Sequence, residues 1–219
     1  MTDGFKTYEL ALEWLFYELP TAPEQIHRAG KGLEEAKVLL DGIGSPQNEY
    51  RTVHVAGTSG KGSTVTLVSD ILRANGKRVG SILSPHVYDF RERFMVDGQF
   101  VGTDEVLESN NQLRPIMEEL NKSGIFPSFF QIVVALAYQI FSSHKLDYVV
   151  VETGLGGLYD TTNSISRNDK VVLLNSIGLD HTEILGNTLE EIALQKAGII
   201  SKGSVVFALK QEAEVNRVF

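Results

Sequence analysis

The stretch Gly57-Thr58-Ser59-Gly60-Lys61-Gly62-Ser63-Thr64 decides the fold, because it joins a short apolar run to a segment with helical periodicity. The apolar run is Thr52–Ala56, and the helical segment runs from Ser63 to Asn75 before Gly76 ends it. Glycines let a backbone approach phosphate oxygens, and the N–H groups at the start of a helix face an anion. A strand, a glycine-rich turn and a helix in this order therefore predict a phosphate-binding loop.

Seven residues of this loop are expected to hold the phosphates of a nucleotide: Gly57, Thr58, Ser59, Gly60, Lys61, Gly62 and Ser63. Lys61 supplies a positive charge, and Ser63 or Thr64 offers a hydroxyl to Mg²⁺. The spacing is not that of a regular Walker A motif, because Val55 occupies the position of its first glycine. The alternative is a glycine-rich turn with one exposed lysine, which leaves the clustering of glycines, lysine and hydroxyls unexplained.

The composition is that of an ordinary soluble globular domain: 219 residues, 42% hydrophobic, with a net charge of −8 and no cysteine. The acidic balance predicts no general attraction to nucleic acid or to a membrane. Without cysteine, disulfides, thiolate metal sites and a cysteine nucleophile are excluded. No apolar run approaches the roughly 18 residues of a membrane span, and Met1–Lys6 lacks the apolar segment of a signal peptide. We therefore expect a cytoplasmic protein that is a monomer.

Strand and helix patterns alternate along the chain. The predicted helices are Thr7–Leu19, Leu33–Leu40, Ser63–Asn75, Thr103–Asn121, Phe129–Phe141, Thr188–Gly198 and a last one within Gln211–Phe219. The predicted strands are Thr52–Ala56, Arg78–Leu83, Leu146–Val151, Lys170–Ile177 and Ser204–Leu209. This rhythm predicts an α/β fold with a P-loop-type, doubly wound, mainly parallel sheet. Because it stops soon after a strand, we expect residues 1–219 to be an incomplete, truncated ATP-binding domain.

Polar residues follow the predicted strands at the edge where parallel sheets bind ligands. Glu152 ends an apolar strand, the place where P-loop enzymes put a metal-directed carboxylate, although a carboxylate can also merely cap a turn there. His181 taken alone is more often a structural residue. Its expected position at the same edge as Glu152 and Ser63 favours one or two Mg²⁺ sites.

Each of three further cations has an interpretation that requires no function. Arg91 and Arg93 flank Glu92, either on an exposed strand of alternating charge or on a mobile loop that meets an acidic substrate. Lys196 lies in the last turn of a predicted helix, where the helix dipole alone favours a lysine. The residues themselves therefore leave Lys196 without an assigned role.

Together these motifs resemble the folylpolyglutamate synthase/dihydrofolate synthase family, a branch of the Mur ligase superfamily. In chain order, the matching segments are Gly32–Glu34, Ser45–Gln47, Val55–Ser63, Ser84–His86, Phe90–Phe94, Glu152–Gly157, Asp160–Asn163, Gly178–Gly186 and Gln195–Ile199. They follow one another over most of the chain.

The resemblance implies an ATP-dependent amide ligase with the fold of the Mur ligase central domain. The γ-phosphate would pass to a carboxylate of folate or dihydropteroate, and the amino group of L-glutamate would displace it. By motif, the resemblance implies catalytic roles for Lys61, His181 and a carbamylated Lys196, magnesium ligation by Ser63, Ser84, Glu152 and His181, and substrate contacts by Phe130, Arg91, Arg93 and Asp160. It also places a separate C-terminal glutamate-binding domain outside these 219 residues, which alone are expected not to complete turnover.

Two departures from the family pattern bear on the preference between folate and dihydropteroate: Leu158 replaces a common arginine, and Gln131 replaces a common glutamate. Three alternatives remain. One is another Mur-type ligase, acting on cell-wall precursors or cyanophycin, which Gly62 and the Ser84-Pro85-His86 segment disfavour. The others are a P-loop switch or kinase, and a nucleotide-binding fragment without activity of its own.

Overall fold

The computed structural model describes residues 4–21 and 31–219, which form one mainly parallel sheet with helices on both faces. The helices are α1 (Tyr8–Glu13), α2 (Lys31–Gly42), α3 (Lys61–Ala74), α4 (Thr103–Lys122), α5 (Phe129–Ser142), α6 (Thr182–Leu185), α7 (Leu189–Ala197) and α8 (Ala213–Val218). The strands are β1 (Arg51–Ala56), β2 (Val79–Ile82), β3 (Phe94–Val96), β4 (Gln99–Phe100), β5 (Tyr148–Glu152), β6 (Val171–Leu174) and β7 (Val205–Ala208).

The strands of the described chain form one seven-stranded sheet in the order β4-β3-β2-β5-β1-β6-β7. The strands β2, β5, β1, β6 and β7 are parallel, whereas β3 and β4 form an antiparallel extension beside β2. Val55 of β1 pairs with Glu152 of β5, and Ala56 pairs with Leu174 of β6. The carboxyl ends of these three central strands therefore meet at one edge of the sheet.

Alternate side chains of the central strands enter two separate hydrophobic clusters. Val149 and Val151 pack in the cluster that contains α5, whereas Val150 packs with Val65 of α3 on the opposite face. Burial of both faces explains why β5 is a continuous apolar run rather than an alternating one. This arrangement confirms the predicted doubly wound, mainly parallel sheet.

The predicted elements occur, with some corrected boundaries. The strand predicted over Lys170–Ile177 is shorter, because β6 ends at Leu174 and the chain then turns toward the phosphate loop. The interpretation of Arg91 and Arg93 as part of an exposed strand is wrong. Both lie in a 3₁₀ turn, Phe90–Arg93, whose capping box stops extended structure until Phe94.

The edge strand β7 differs from the interior strands. Val205 and Phe207 are 54% and 61% exposed, and Val206 between them is 38% exposed, so neither face of β7 is covered. Within residues 4–21 and 31–219, no helix has both the length and the apolar character needed to cross a lipid bilayer.

Candidate nucleotide and metal site

The predicted phosphate loop connects β1 to the first residue of α3, Lys61. Gly60 has φ +77° in the left-handed region, which glycine adopts without a steric cost, and this conformation starts the helix. The first N–H groups of a helix have no partner within it, so those of α3 face the loop. Lys61 is half-buried and Ser63 is exposed. The local backbone is therefore suited to binding an anion.

Thr58 fastens the loop to the segment that follows β6. Its hydroxyl donates to the carbonyl oxygen of Gly178 at 3.1 Å and accepts from the Gly178 N–H at 3.0 Å. Its own N–H donates to the carbonyl oxygen of Ser176 at 2.8 Å. These bonds fix the backbone of the phosphate loop, and the phosphate contact expected of Thr58 stays a prediction.

Asn175 is a site residue that the sequence interpretation missed. It follows β6 directly, its Nδ2 donates to Oγ1 of Thr64 at 2.8 Å, and its N–H donates to the carbonyl oxygen of Ala56 at 2.8 Å. It thereby joins both ends of the phosphate loop. A polar residue immediately after an apolar strand was the available signal, because the same signal identified Glu152.

Glu152 lies beside the loop at the carboxyl end of β5. Its side chain is buried, and Oε2 accepts a hydrogen bond from the Ser84 N–H at 2.8 Å. A Cβ added to Gly62 would lie 3.6 Å from Oε2, so the carboxylate adjoins the first turn of α3. Burial raises the pKa of Glu152, while the Ser84 N–H and the charge of Lys61 oppose that rise.

These donors fit a magnesium ion. Mg²⁺ prefers hard oxygen ligands, and the buried Glu152 carboxylate and the exposed Ser63 hydroxyl are of that kind. Ser84 adjoins the carboxylate through its backbone N–H. Across residues 4–21 and 31–219, no three His, Asp or Glu side chains form a metal-binding group. An ion held here would therefore take most of its ligands from phosphate and water.

Lys196 approaches the loop from α7. It is 3% exposed, and its Nζ donates to the carbonyl oxygen of Gly57 at 3.0 Å. Burial lowers the pKa of Lys196 to about 8, and the nearby charge of Lys61 adds to this effect. A neutral amine is consequently well populated near physiological pH, which the usual pKa of a lysine would not allow.

A single small cleft brings the three predicted catalytic residues together. Its lining consists of Gly57, Lys61, Thr153, Gly154, Leu155, Gly156, Asp180, His181 and Lys196. His181 has φ +47° at the start of α6, and its half-exposed ring has Nε2 3.6 Å from Oδ1 of Asp180. Lys61, His181 and Lys196 thus share one cleft, and Glu152 lies behind it next to Gly62.

The predicted substrate residues are less uniformly placed. The ring of Phe130 covers Gly154, since a Cβ there would lie 2.5 Å from Cζ of the ring. Asp160 is 1% exposed and accepts from the N–H groups of Leu155 at 2.8 Å and Thr162 at 2.9 Å. Its carboxylate therefore supports the cleft wall from within rather than facing solvent.

Arg91 and Arg93 lie beside β3 and outside the lining of the cleft. Arg91 forms an ion pair with Asp89 at 2.7 Å. Nε of Arg93 donates to Nδ1 of His86 at 2.7 Å, and its guanidinium lies over the ring of Phe129. Both cations are therefore engaged by neighbouring protein groups outside the cleft.

The departure at Gln131 also has a structural explanation. Its Oε1 accepts from the Ser128 N–H at 2.8 Å, and its Nε2 donates to the carbonyl oxygen of Gly32 at 2.7 Å. The side chain caps α5 and ties it to α2.

A glycine-rich strand-to-helix loop, with a buried acid at the end of the neighbouring parallel strand, defines an α/β domain of the P-loop class. No protein-family model matches the chain. The dihydrofolate synthase/folylpolyglutamate synthase of Bacillus subtilis is 38% identical over 216 residues, covering 98% of this chain and 48% of that protein. A folylpolyglutamate synthase of Arabidopsis thaliana is 41% identical over 174 residues, covering 78% of this chain and 30% of the plant protein.

Solved structures agree. A folylpolyglutamate synthase from Thermotoga maritima superposes with a TM-score of 0.81 at 34% identity, covering 96% of this chain and 46% of that one. A folylpolyglutamate synthase–AMPPCP–folate complex superposes with a TM-score of 0.88 at 30% identity. The match covers 97% of this chain and 50% of the chain in the complex. The chain belongs to the folylpolyglutamate synthase/dihydrofolate synthase family, and it spans about half the length of the Bacillus subtilis protein and of the chain in the AMPPCP–folate complex.

Proposed function

We propose that this chain supplies the ATP- and folate-binding part of a ligase that joins L-glutamate to folate, or to dihydropteroate. The observation that carries the proposal is the convergence of Lys61, Lys196 and the buried Glu152 on the phosphate loop. A relative of the same fold is known as a complex with folate and the ATP analogue AMPPCP, which supports both ligands.

The proposed reaction has two steps. A carboxylate oxygen of the pterin substrate attacks the γ-phosphorus of ATP, and ADP leaves, so the carboxylate becomes an acyl phosphate. The amino group of L-glutamate then attacks the acyl carbon, inorganic phosphate leaves, and the amine loses a proton. Lys61 and the N–H groups at the start of α3 bind the phosphates and offset the negative charge of the transferred group.

Glu152 and Ser63, with His181 at the cleft, are the proposed holders of one or two magnesium ions. When bound, Mg²⁺ would neutralise charge on the phosphate oxygens. The buried carboxylate of Glu152 remains available for this role because, within the described chain, only its Oε2 is engaged by a backbone donor.

Lys196 is the proposed site of carbamylation. Its neutral amine would attack carbon dioxide, forming an N–C bond and releasing a proton, which converts a cation into an anion. The lowered pKa supports this step by providing the neutral amine. Intact mass measurement in bicarbonate under mild conditions should show an added mass of about 44 Da.

Lys170 provides the matched control for that measurement. It is equally buried and also has its pKa lowered to about 8, but its Nζ donates to the carbonyl oxygen of Ile199, away from the phosphate loop. We expect Lys196→Met, and not Lys170→Met, to abolish the added mass. Loss of the adduct in Lys170→Met alone would contradict the assignment.

Phe130 and its support Gly154 are proposed to form the wall on the pterin side of the site, with Asp160 holding that wall in place. Arg91 and Arg93 are proposed to reach an acidic substrate only after leaving their partners. The glutamate-binding part is proposed to lie in the half of the relatives' length that this chain does not span. The protein is also proposed to be a monomer and to reside in the cytoplasm.

Calorimetry on this chain tests the proposal. Mg·ATP should bind with micromolar to millimolar affinity, and folate should bind more tightly once Mg·ATP is present. Radiolabelled glutamate should not be incorporated by this chain alone. Absence of ATP binding at millimolar nucleotide would overturn the proposed function, and incorporation of glutamate would overturn the division of labour between the two halves.

A further inference from the structure

His54 is a fully buried histidine on β1, three residues before the phosphate loop, and the proposed chemistry does not use it. Its Nε2 lies 2.8 Å from Oγ1 of Thr162 and 3.2 Å from Oγ1 of Thr153. Both threonines come from the segment that follows β5. The ring therefore joins the strand that carries the phosphate loop to the segment that lines the opposite side of the cleft.

The direction of these hydrogen bonds follows from the neighbours of Thr162. Its hydroxyl donates to Oδ1 of Asp160 at 2.5 Å, which uses its only proton. The same hydroxyl must therefore accept from His54, so Nε2 carries the proton and Nδ1 does not. Nδ1 is buried, and among the described residues it has no hydrogen-bond partner.

The charges around the ring keep it neutral. Burial lowers the pKa of His54 well below its usual range, and the cation of Lys170 acts in the same direction. Asp160 accepts hydrogen bonds on both oxygens, and it is linked to the ring through the Thr162 hydroxyl. The ring of His54 is therefore neutral, with its proton on Nε2, and it acts as a hydrogen-bond donor.

The far end of this chain of hydrogen bonds is the wall of the cleft. Oδ2 of Asp160 accepts from the Leu155 N–H at 2.8 Å, and Leu155 lines the cleft together with Thr153 and Gly154. The order is His54 Nε2–H, Thr162 hydroxyl, Asp160 carboxylate and Leu155 N–H. Each member orients the next, because a hydroxyl that accepts one bond has its own proton directed to the other partner.

We propose that His54 is a positioning residue for the ATP-dependent reaction, because its Nε2–H orients Thr162 and thereby fixes the backbone of residues 153–156 against the phosphate loop. This inference rests on the proposed function of the same cleft. His54 touches no reacting atom, and its effect reaches the nucleotide through Asp160 and the cleft wall.

Two variants break the chain of hydrogen bonds at its first two members. His54→Leu removes the donor, and Thr162→Val removes the hydroxyl while leaving the ring. We expect each to weaken Mg·ATP binding about tenfold, the usual scale for losing a buried hydrogen bond. His54→Gln keeps an N–H at a similar distance from the backbone and should restore affinity to within about twofold. Thr161→Val, a buried neighbour outside the chain of bonds, is the matched control.

Two readouts separate positioning from general stability. Amide exchange at Leu155 should accelerate in His54→Leu and Thr162→Val, and exchange in β7 should not. Nitrogen NMR of labelled histidine should show a protonated Nε2 and an unprotonated Nδ1 that do not titrate between about pH 6 and 9. A ring that titrates in this range, the opposite tautomer, or normal Leu155 exchange with unchanged ATP affinity in both variants would overturn the inference.

Failure of the proposed function looks different. If the wild-type chain binds no ATP, the function falls, while the NMR and exchange measurements still decide whether His54 fixes the cleft wall. If the wild-type chain binds ATP and His54→Leu binds it equally well with unchanged exchange, the function stands and the role of His54 falls.

Discussion

Two buried lysines mark two regions of this molecule, the cleft at the carboxyl edge of the sheet and the amino end of β6. Lys196 and Lys170 are 3% and 1% exposed, and burial lowers the pKa of each to about 8. Each donates one hydrogen bond to a backbone carbonyl, of Gly57 and Ile199 respectively. Judged by burial and pKa alone, the two residues are equivalent.

Their surroundings distinguish them. Lys196 faces a cleft with a second lysine, Lys61, and lies near the carboxylates of Asp180 and Asp160. The charge of Lys170 acts on the neutral ring of His54, whose pKa it lowers. A lysine with a lowered pKa therefore indicates a functional site only when other charged or polar groups converge on the same cleft. The following predictions test whether the two regions differ as this comparison requires.

The largest expected effect belongs to Lys61. Lys61→Met should weaken Mg·ATP binding by about thirtyfold or more, because hydrogen bonds to charged groups contribute about 1.5–3 kcal/mol. Lys170→Met should change the affinity by less than about twofold, and the exposed Lys77→Met serves as the control for charge alone. Calorimetry measures all three. Equal losses in Lys61→Met and Lys170→Met would break the comparison.

The pH dependence of stability should reveal both buried lysines. Their folded pKa of about 8 lies below the unfolded value, so the cost of the buried charge is present below pH 8 and disappears as the pH rises. Relative to Lys170→Met, the free energy of unfolding of the wild type should rise by about 2 kcal/mol between about pH 7.5 and 9.5. Denaturant titrations at several pH values measure this difference.

Saturating Mg·ATP sharpens that measurement. In buffer without bicarbonate, where Lys196 is an unmodified amine, bound phosphates favour its charged form. The pH-dependent difference in unfolding free energy between wild type and Lys196→Met should therefore shrink with nucleotide present. The corresponding difference for Lys170→Met should stay the same. If nucleotide leaves the pH dependence of unfolding free energy unchanged for both pairs, Lys196 does not interact with the bound phosphates.

Glu152→Gln should have an effect that depends on the metal. The amide keeps an acceptor for the Ser84 N–H but loses the charge. Affinity for Mg·ATP should fall about tenfold, a typical loss for one ionic ligand, while affinity for ATP in EDTA should not fall. Because burial raises the pKa of Glu152, removing its charge should not lower the stability of the nucleotide-free chain. Equal losses with and without magnesium would exclude a metal role.

The smallest effect is expected at Arg91. Its ion pair with Asp89 is partly exposed, and such pairs contribute about 0–1 kcal/mol. Arg91→Ala should change the free energy of unfolding by less than about 1 kcal/mol and leave Mg·ATP affinity unchanged, as measured by denaturant titration and calorimetry. A large loss of ATP affinity would mean that the cleft extends to this segment.

The sequence was sufficient to predict the centre of the fold and the phosphate loop, because their signals are local. A capping box at Thr188 and the apolar run before Glu152 each depend on residues a few positions apart. Local signals also located the strand ends that Lys61, Glu152 and His181 follow. Because the carboxyl ends of parallel strands share one edge, the convergence of these three residues could be predicted as well.

Interactions between distant segments could not be predicted. His54 and Thr162 are 108 positions apart, so nothing near His54 indicates its partner. The inward orientation of Asp160 depends on the N–H groups that surround it. Likewise, β7 has the apolar sequence of a covered strand, although both of its faces are exposed. An apolar composition predicts that a segment forms a strand, but it does not predict which elements pack against the faces of that strand.

The position of β5 between β1 and β2 has a consequence for synthesis on the ribosome. The two earlier strands make no pairing with each other, because each forms its ladder with β5. While a nascent chain is shorter than about 150 residues, both apolar segments lack this shared neighbour. Emergence of Tyr148–Glu152 then lets the middle of the sheet close in one event. The last residue of β5, Glu152, is also the acid proposed to receive the metal, so assembly of the scaffold and of its ligand site would coincide in time.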